Sequence, residues 1–111
     1  METTINNTLQ VFKNEELNAN IRVVEIDGQP YFVAIDVCKA LDIQNTTQAV
    51  AKLDDDERAM FNIGRQGTTN VVNEYGLYNL ILGSRKPEAK QFKRWVTHEV
   101  LPSIRKTGKY K

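Results

Sequence analysis

The stretch IRVVEIDGQPYFVAI, residues 21–35, constrains the fold more than any other part of this 111-residue chain. Two runs rich in β-branched and aromatic residues flank Asp27-Gly28. A two-residue connection of this kind needs positive φ at both central positions, which glycine takes freely and aspartate tolerates. The reading is an antiparallel hairpin. Its second arm, residues 29–35, carries Tyr31, Val33 and Ile35 on one face and Phe32 and Ala34 on the other. Pro30 donates no ladder hydrogen bond, so it belongs at a strand start or on an edge. A lone hairpin is not stable in water, so the rest of the chain must cover it.

Further strands read at Leu9–Phe12, and at Ala59–Ile63 and Thr68–Asn73 around the loop GRQG. Between the two strand sets, Asp36 is positioned to cap a helix with Val37, Ala40 and Leu41 inward. After the break DIQN, Thr46 or Asn45 can cap a second helix running to Leu53, with Ala49, Val50 and Leu53 inward. DDDE would sit badly at the negative end of that helix and reads as a turn that caps the next element. Asn73 can cap EYGLYNLIL, closed by Gly83 at its C′ position. Pro87 suits the first turn of the last helix, where Ala89, Phe92, Val96 and Val100 share an arc of about 80°, with Trp95 on its flank. Pro102 is expected to end or kink that helix near Leu101. These elements predict an α+β fold: one small domain of short antiparallel strands packed with about four helices, the last one long and basic.

The charge is split along the chain. Residues 1–84 hold 6 Lys+Arg against 12 Asp+Glu, and residues 85–111 hold 9 against 2, so balances of −6 and +7 lie behind a net charge of +1. On the last helix Lys86, Lys90, Lys93, Arg94 and Thr97 share an arc of about 100° beside the apolar stripe, with Glu88 and Glu99 on the opposite flank. Solvated helices usually mix signs, because opposite charges at i,i+4 support them. Sorting by sign points to an anionic partner, nucleic acid first. The competing readings are a solubilising tail, or a face that docks on the acidic part of the same domain.

Several chemistries are excluded by spacing. HEVLP starts like a zinc-protease helix, but the second ligand position holds Pro102 and His98 is the only histidine. Cys38 lies among Val37, Ala40 and Leu41, where a small buried thiol is the expectation rather than a nucleophile. DDDE lacks the alternation and glycine of a calcium loop, and GRQG precedes a strand rather than a helix. The single cysteine forms no internal disulfide, and no apolar run approaches the roughly 20 residues that span a bilayer. METTINNTLQ has neither the basic start nor the apolar run of a signal peptide, which leaves a cytoplasmic protein as the simplest reading. Residues 1–8 read as a flexible polar leader. Residues 36–53 also fit a helix-turn-helix, in which Thr46, Thr47, Gln48 and Lys52 would face base edges. Arg65, Gln66 and Thr68 stand at a hairpin tip able to enter a groove or simply to be solvated.

Three segments, GQPYFVAIDVCKALDI (residues 28–43), AKLDDDE (residues 51–57) and NEYGLYNLILGSRKPEAKQFKRWVTHEVLPSIRKTGKY (residues 73–110), together resemble the BRO N-terminal domain of phage antirepressors and baculovirus repeated-ORF proteins. The resemblance implies an α+β domain over residues 9–108 that binds DNA, a phage or prophage origin, a place in the host bacterial cytoplasm, and a role in the lytic switch. It also implies that a variable second domain usually follows; here only a tail, residues 109–111, is expected. The expected partner is DNA, double-stranded, with a phage repressor protein as the alternative and a homodimer as a further expectation. No membrane, metal or cofactor is called for, and no enzyme. The phosphate-contacting set is Lys86, Lys90, Lys93, Arg94, Arg105 and Lys106. A second rank for base or backbone contact holds Arg65, Gln66, Thr68, Thr47, Gln48 and Lys52.

Overall fold

The computed structural model describes residues 9–64 and 67–107. Strands β1 (Gln10–Asn14), β2 (Ala19–Ile26) and β3 (Gln29–Val33) form a meander. Helices α1 (Ala34–Ala40) and α2 (Thr46–Ala51) and a 3₁₀ turn (Asp55–Glu57) lead into the hairpin β4 (Arg58–Asn62) and β5 (Thr68–Val72). Helix α3 (Glu74–Leu82) follows. The chain then runs helically through α4 (Ala89–Trp95), a wide π turn (Val96–Val100) and α5 (Leu101–Thr107). The sheet is antiparallel in the order β1-β2-β3-β5-β4, closed in the middle by the non-local pairs Phe32↔Val72 and Val33↔Val71.

The hairpin is built as its sequence requires. Asp27 and Gly28 have φ of 53° and 80°, the doubly positive turn whose twist matches the strands. Alternation then sorts the sheet. Ile21, Val23, Phe32 and Val72 face the helices and join Val37, Leu41, Leu77, Phe92, Val96 and Leu101 in one core. Each large side chain fully buried there stabilises the fold by about 1.5–3 kcal/mol. On the reverse face Val24, Val33 and Val71 form a small second cluster flanked by Ile26, Tyr31, Ala59 and Phe61.

Three local expectations are corrected. The second hairpin arm stops at Val33, and α1 begins at Ala34, so Ala34 and Ile35 are helical and Asp36 is not a cap. Asp36 instead mends the sheet. Where β3 turns into helix, β2 loses its ladder partner. The Asp36 carboxylate takes the Arg22 backbone N–H (3.0 Å) and grips the Arg22 guanidinium through Nε (2.8 Å) and Nη2 (3.0 Å). Gly83 closes α3 at φ −84°, an ordinary right-handed residue rather than a left-handed cap. Pro102 does not end the last helix. Its missing N–H would have bonded the His98 carbonyl, and its ring would have crowded it. The π turn removes the conflict, with the Leu101 N–H bonding Val96 O. In an ideal helix Leu101 would lie about 180° from Phe92. The wide turn takes up that rotation, and Leu101 is 2% exposed.

Three caps hold as read, at Asn45, Asp54 and Asn73. Asn45 Oδ1 accepts from the Gln48 N–H (3.0 Å), and Asp54 and Glu57 form a reciprocal capping box around the 3₁₀ turn. Asn73, itself buried, joins three elements. Its Oδ1 accepts from Gly76 N–H at the start of α3 (3.0 Å), while its Nδ2 donates to Asp56 O (2.8 Å) and its own N–H to Glu57 O (3.1 Å). The close packing also accounts for the glycine at 76. A Cβ there would stand 2.7 Å from Glu57 O and 3.0 Å from Val72 Cβ, so α3 approaches the 3₁₀ turn more closely than any side chain allows.

Candidate nucleic-acid interface

Helix α4 buries Ala89, Phe92 and Trp95 and leaves Lys90, Lys93 and Arg94 exposed on the other side. The apolar stripe read from the sequence is therefore the buried one. Trp95 and Phe92 pack ring to ring (centroids 5.9 Å apart), which removes both from any stacking role. Among the described residues the ion pairs are Arg22–Asp36 and Arg58–Asp55, and neither takes a cation of α4. Lys93 Nζ lies 5.9 Å from the ring centroid of Tyr78 on α3, a cation–π distance that leaves its charge at the surface. Arg94 lines a cleft of about 410 Å³ between α4 and the β1–β2 connection, shared with Glu16, Trp95, His98 and Glu99. His98 spends its Nδ1 on the Arg94 carbonyl (3.0 Å), one of the carbonyls beside the wide turn.

Lys86 behaves differently from its neighbours on the predicted arc. It is half-buried, and its ammonium donates to Ala40 O (2.9 Å) at the end of α1, where Ser84 Oγ donates to Leu41 O (2.8 Å). A cation at a helix C-terminus is favourable, since unpartnered carbonyls collect there. The ammonium keeps two further donors. This contact also adds residues that the sequence reading missed. Lys39, exposed in the last turn of α1, and Arg85, exposed in the loop, are brought to the start of α4. The linking hydrogen bond spans 46 residues, and no local pattern signals it.

The second-rank residues are not gathered in one place. Thr47, Gln48 and Lys52 are all exposed along α2 and its cap, and α1–α2 do form two helices joined by a tight turn. Asp42, at φ 60°, supplies the left-handed residue that a glycine would usually provide. α2 is anchored to the start of β4 by Arg58 Nη1, which donates to Val50 O (3.2 Å). Thr68 is exposed at the other end of the same hairpin, four residue steps along the strand or roughly 13 Å away. Arg65 and Gln66 lie outside the described residues. Arg105 and Lys106 are placed only by the backbone of α5.

Cys38 is fully buried, and burial pushes its thiol above the ordinary value, opposed by a hydrogen bond with Thr46. A group held neutral and covered is a core residue in its chemistry. No described helix is long and apolar enough to cross a membrane. What the α4 surface offers is a row of exposed cations outside the ion pairs found among the described residues, with Glu16 and Glu99 in the cleft beside Arg94, an arrangement able to meet phosphate oxygens.

Comparison with known proteins finds relatives over most of the chain. The chain is 35% identical over 117 residues to an uncharacterized protein of Haemophilus influenzae, covering 96% of this chain and 56% of that one. Two Bro-N domain-containing proteins of Invertebrate iridescent virus 6, 201R and 289L, are 32% and 35% identical over 121 residues each, covering 85% and 89% of this chain. The chain spans 29% and 28% of their lengths, so it corresponds to a part of those longer proteins. No solved structure matches. Residues 20–102, which hold strands β2 to β5 from Asn20 onward, α1 to α4 and the wide turn but not β1, match the family described as BRO family, N-terminal domain, and the chain belongs to that family.

Proposed function

We propose that this domain binds double-stranded DNA as the N-terminal module of a phage or prophage regulator, of the antirepressor kind. The observation that carries the reading is the row Lys90, Lys93 and Arg94, exposed on α4 and engaged in no ion pair among the described residues. Membership of the BRO family supports it, since that family is one of viral regulatory DNA-binding domains. In this reading Lys86, Lys90, Lys93, Arg94, Arg105 and Lys106 pair with phosphates, joined by Lys39 and Arg85, and fix the domain on the duplex without reading sequence. Base contact falls to short polar side chains that reach a groove. Thr47 and Gln48 are favoured, because α2 comes directly after the α1 terminus that Lys86 ties to the cationic loop. Lys52 serves the adjoining backbone, and Thr68, at the start of β5, is a separate contact; Arg65 and Gln66 stay in the second rank and lie outside the described residues. No step in this activity is chemical, and none needs a cofactor.

Replacing Lys90, Lys93 and Arg94 together by alanine tests the assignment. All three are exposed, so the fold is retained, while duplex affinity falls for every sequence and the salt dependence becomes shallower by about 2.7 units of slope. Unchanged duplex affinity in a folded triple variant removes α4 from the interface. Weak DNA binding by the parent chain together with tight binding to a purified repressor favours a protein-interaction module instead.

A further inference from the structure

His98 stands one turn beyond the cations of α4. Lys90, Arg94 and His98 follow one another at four-residue steps, and all three are exposed. Two observations set His98 beside Arg94. Both line the cleft of about 410 Å³, and the His98 ring lies back on the last turn of α4, its Nδ1 3.0 Å from the Arg94 carbonyl and 3.0 Å from Thr97 Oγ1. The Thr97 hydroxyl has the carbonyls of Lys93 (2.9 Å) and Arg94 (3.2 Å) to donate to. A carbonyl only accepts, so Nδ1 carries the ring hydrogen, and the neutral ring then has a bare lone pair at Nε2. Nε2 has no partner among the described residues. The charged groups around the ring, among those residues, are Arg94 on α4, Glu16 from the β1–β2 connection and Glu99 next in the chain. The two carboxylates attract an imidazolium and the guanidinium repels it.

We propose that His98 is a proton-dependent phosphate contact of the α4 row: as an imidazolium it donates from Nε2 to a phosphate oxygen beside the one that Arg94 holds, so that duplex binding takes up a proton from solvent. The inference rests on the duplex-binding reading and adds to it the regulation of the same site by acidity. The fixed Nδ1–H is what makes the contact conditional. Without the second proton, Nε2 presents a lone pair where a phosphate needs a donor, and the contact is repulsive rather than merely weaker. Imidazole is the side chain whose charge ordinarily changes between about pH 5 and 8. A phosphate lying against Arg94 and His98 offsets the repulsion between the two cations and so favours protonation, and by linkage protonation favours the phosphate to the same degree. His98 is the only histidine of the chain, so proton uptake by a side chain in this range has one ready source.

Isothermal titration calorimetry of the 111-residue chain with a duplex, in buffers of different ionisation enthalpy, counts the protons taken up and needs no variant. Uptake of about 0.3 to 1 proton per chain is expected near neutral pH. Affinity should be about three- to fivefold higher at about pH 5.5 than at about pH 8, the worth of one exposed ion pair. The salt slope should steepen by about 0.9 over the same change. His98→Gln, at an exposed position and checked for folding by its far-UV spectrum, should bind with no proton uptake and with an affinity indifferent to pH. His98→Lys stays cationic and should keep in alkali the affinity that the parent reaches only in acid. Duplex binding without proton uptake overturns the proposal and is the result expected if Glu16 or Glu99 already holds the imidazolium in the free domain. Uptake that survives His98→Gln, or a His98→Lys chain no tighter than the parent in alkali, overturns it as well. Each of these leaves the duplex-binding reading standing, whereas a chain that binds no duplex at either pH overturns both.

Discussion

Replacing Asp36 by alanine removes the group that ends the β2–β3 ladder. Three hydrogen bonds are lost together, one from the Arg22 backbone N–H and two from its guanidinium. Hydrogen bonds to a charged partner are worth about 1.5–3 kcal/mol when that partner is removed. The Asp36 side chain is 12% exposed, which favours the upper part of that range for the backbone N–H. The guanidinium is 28% exposed, so water recovers much of its share, and its contribution is discounted toward that of a surface pair. The expected loss is about 2–3 kcal/mol, or on the order of 10 °C in Tm for a domain of this size. Arg22→Ala should cost less, about 1 kcal/mol, because the carboxylate still holds the backbone N–H of residue 22. Urea unfolding monitored by the fluorescence of Trp95, the single tryptophan, buried in the core, measures both. Equal costs for the two variants, or a cost below about 0.5 kcal/mol for Asp36→Ala, would refute the reasoning and make the pair an ordinary surface contact.

The same contacts predict further outcomes. Gly76→Ala gains helix propensity but drives a methyl to within 2.7 Å of Glu57 O, so a net loss of about 1–2 kcal/mol is expected by chemical denaturation. Asn73→Ala leaves the Gly76 N–H and Asp56 O without their partner and should cost about 2 kcal/mol in the same assay. Cys38 should resist alkylation in the native state and react on unfolding, as read by mass spectrometry. Its raised folded pKa stabilises the protein fully below the ordinary thiol value, and that share is lost as pH rises through the folded value.

What can be read from the sequence is local. The Asp27-Gly28 turn, the Asn45 and Asn73 caps and the apolar stripe of α4 each declare themselves within a few residues, because turn and cap chemistry act over that range. The end of β3 is not legible in the same way, because Val33-Ala34-Ile35 is apolar throughout and fits a strand as well as a buried helix start. The deciding contact, Arg22 to Asp36, is a tertiary one. Pro102 would ordinarily break the helix, an effect that the wide turn before it absorbs while burying Leu101. At the interface, sorting by sign along α4 is visible from helical periodicity, whereas Lys39 joins the cationic set only through the docking of Lys86 on Ala40. The separation of Thr68 from Lys52 depends on hairpin geometry and on where Arg58 anchors α2, neither of which spacing encodes.

The central claim is that cations of the final helical run neutralise phosphates, and a salt titration of duplex affinity measures that number directly. With the eight cations assigned to phosphates each neutralising one, log affinity should fall against log salt with a slope near −7. A slope near zero, or no retention of duplex at low salt, would contradict the account.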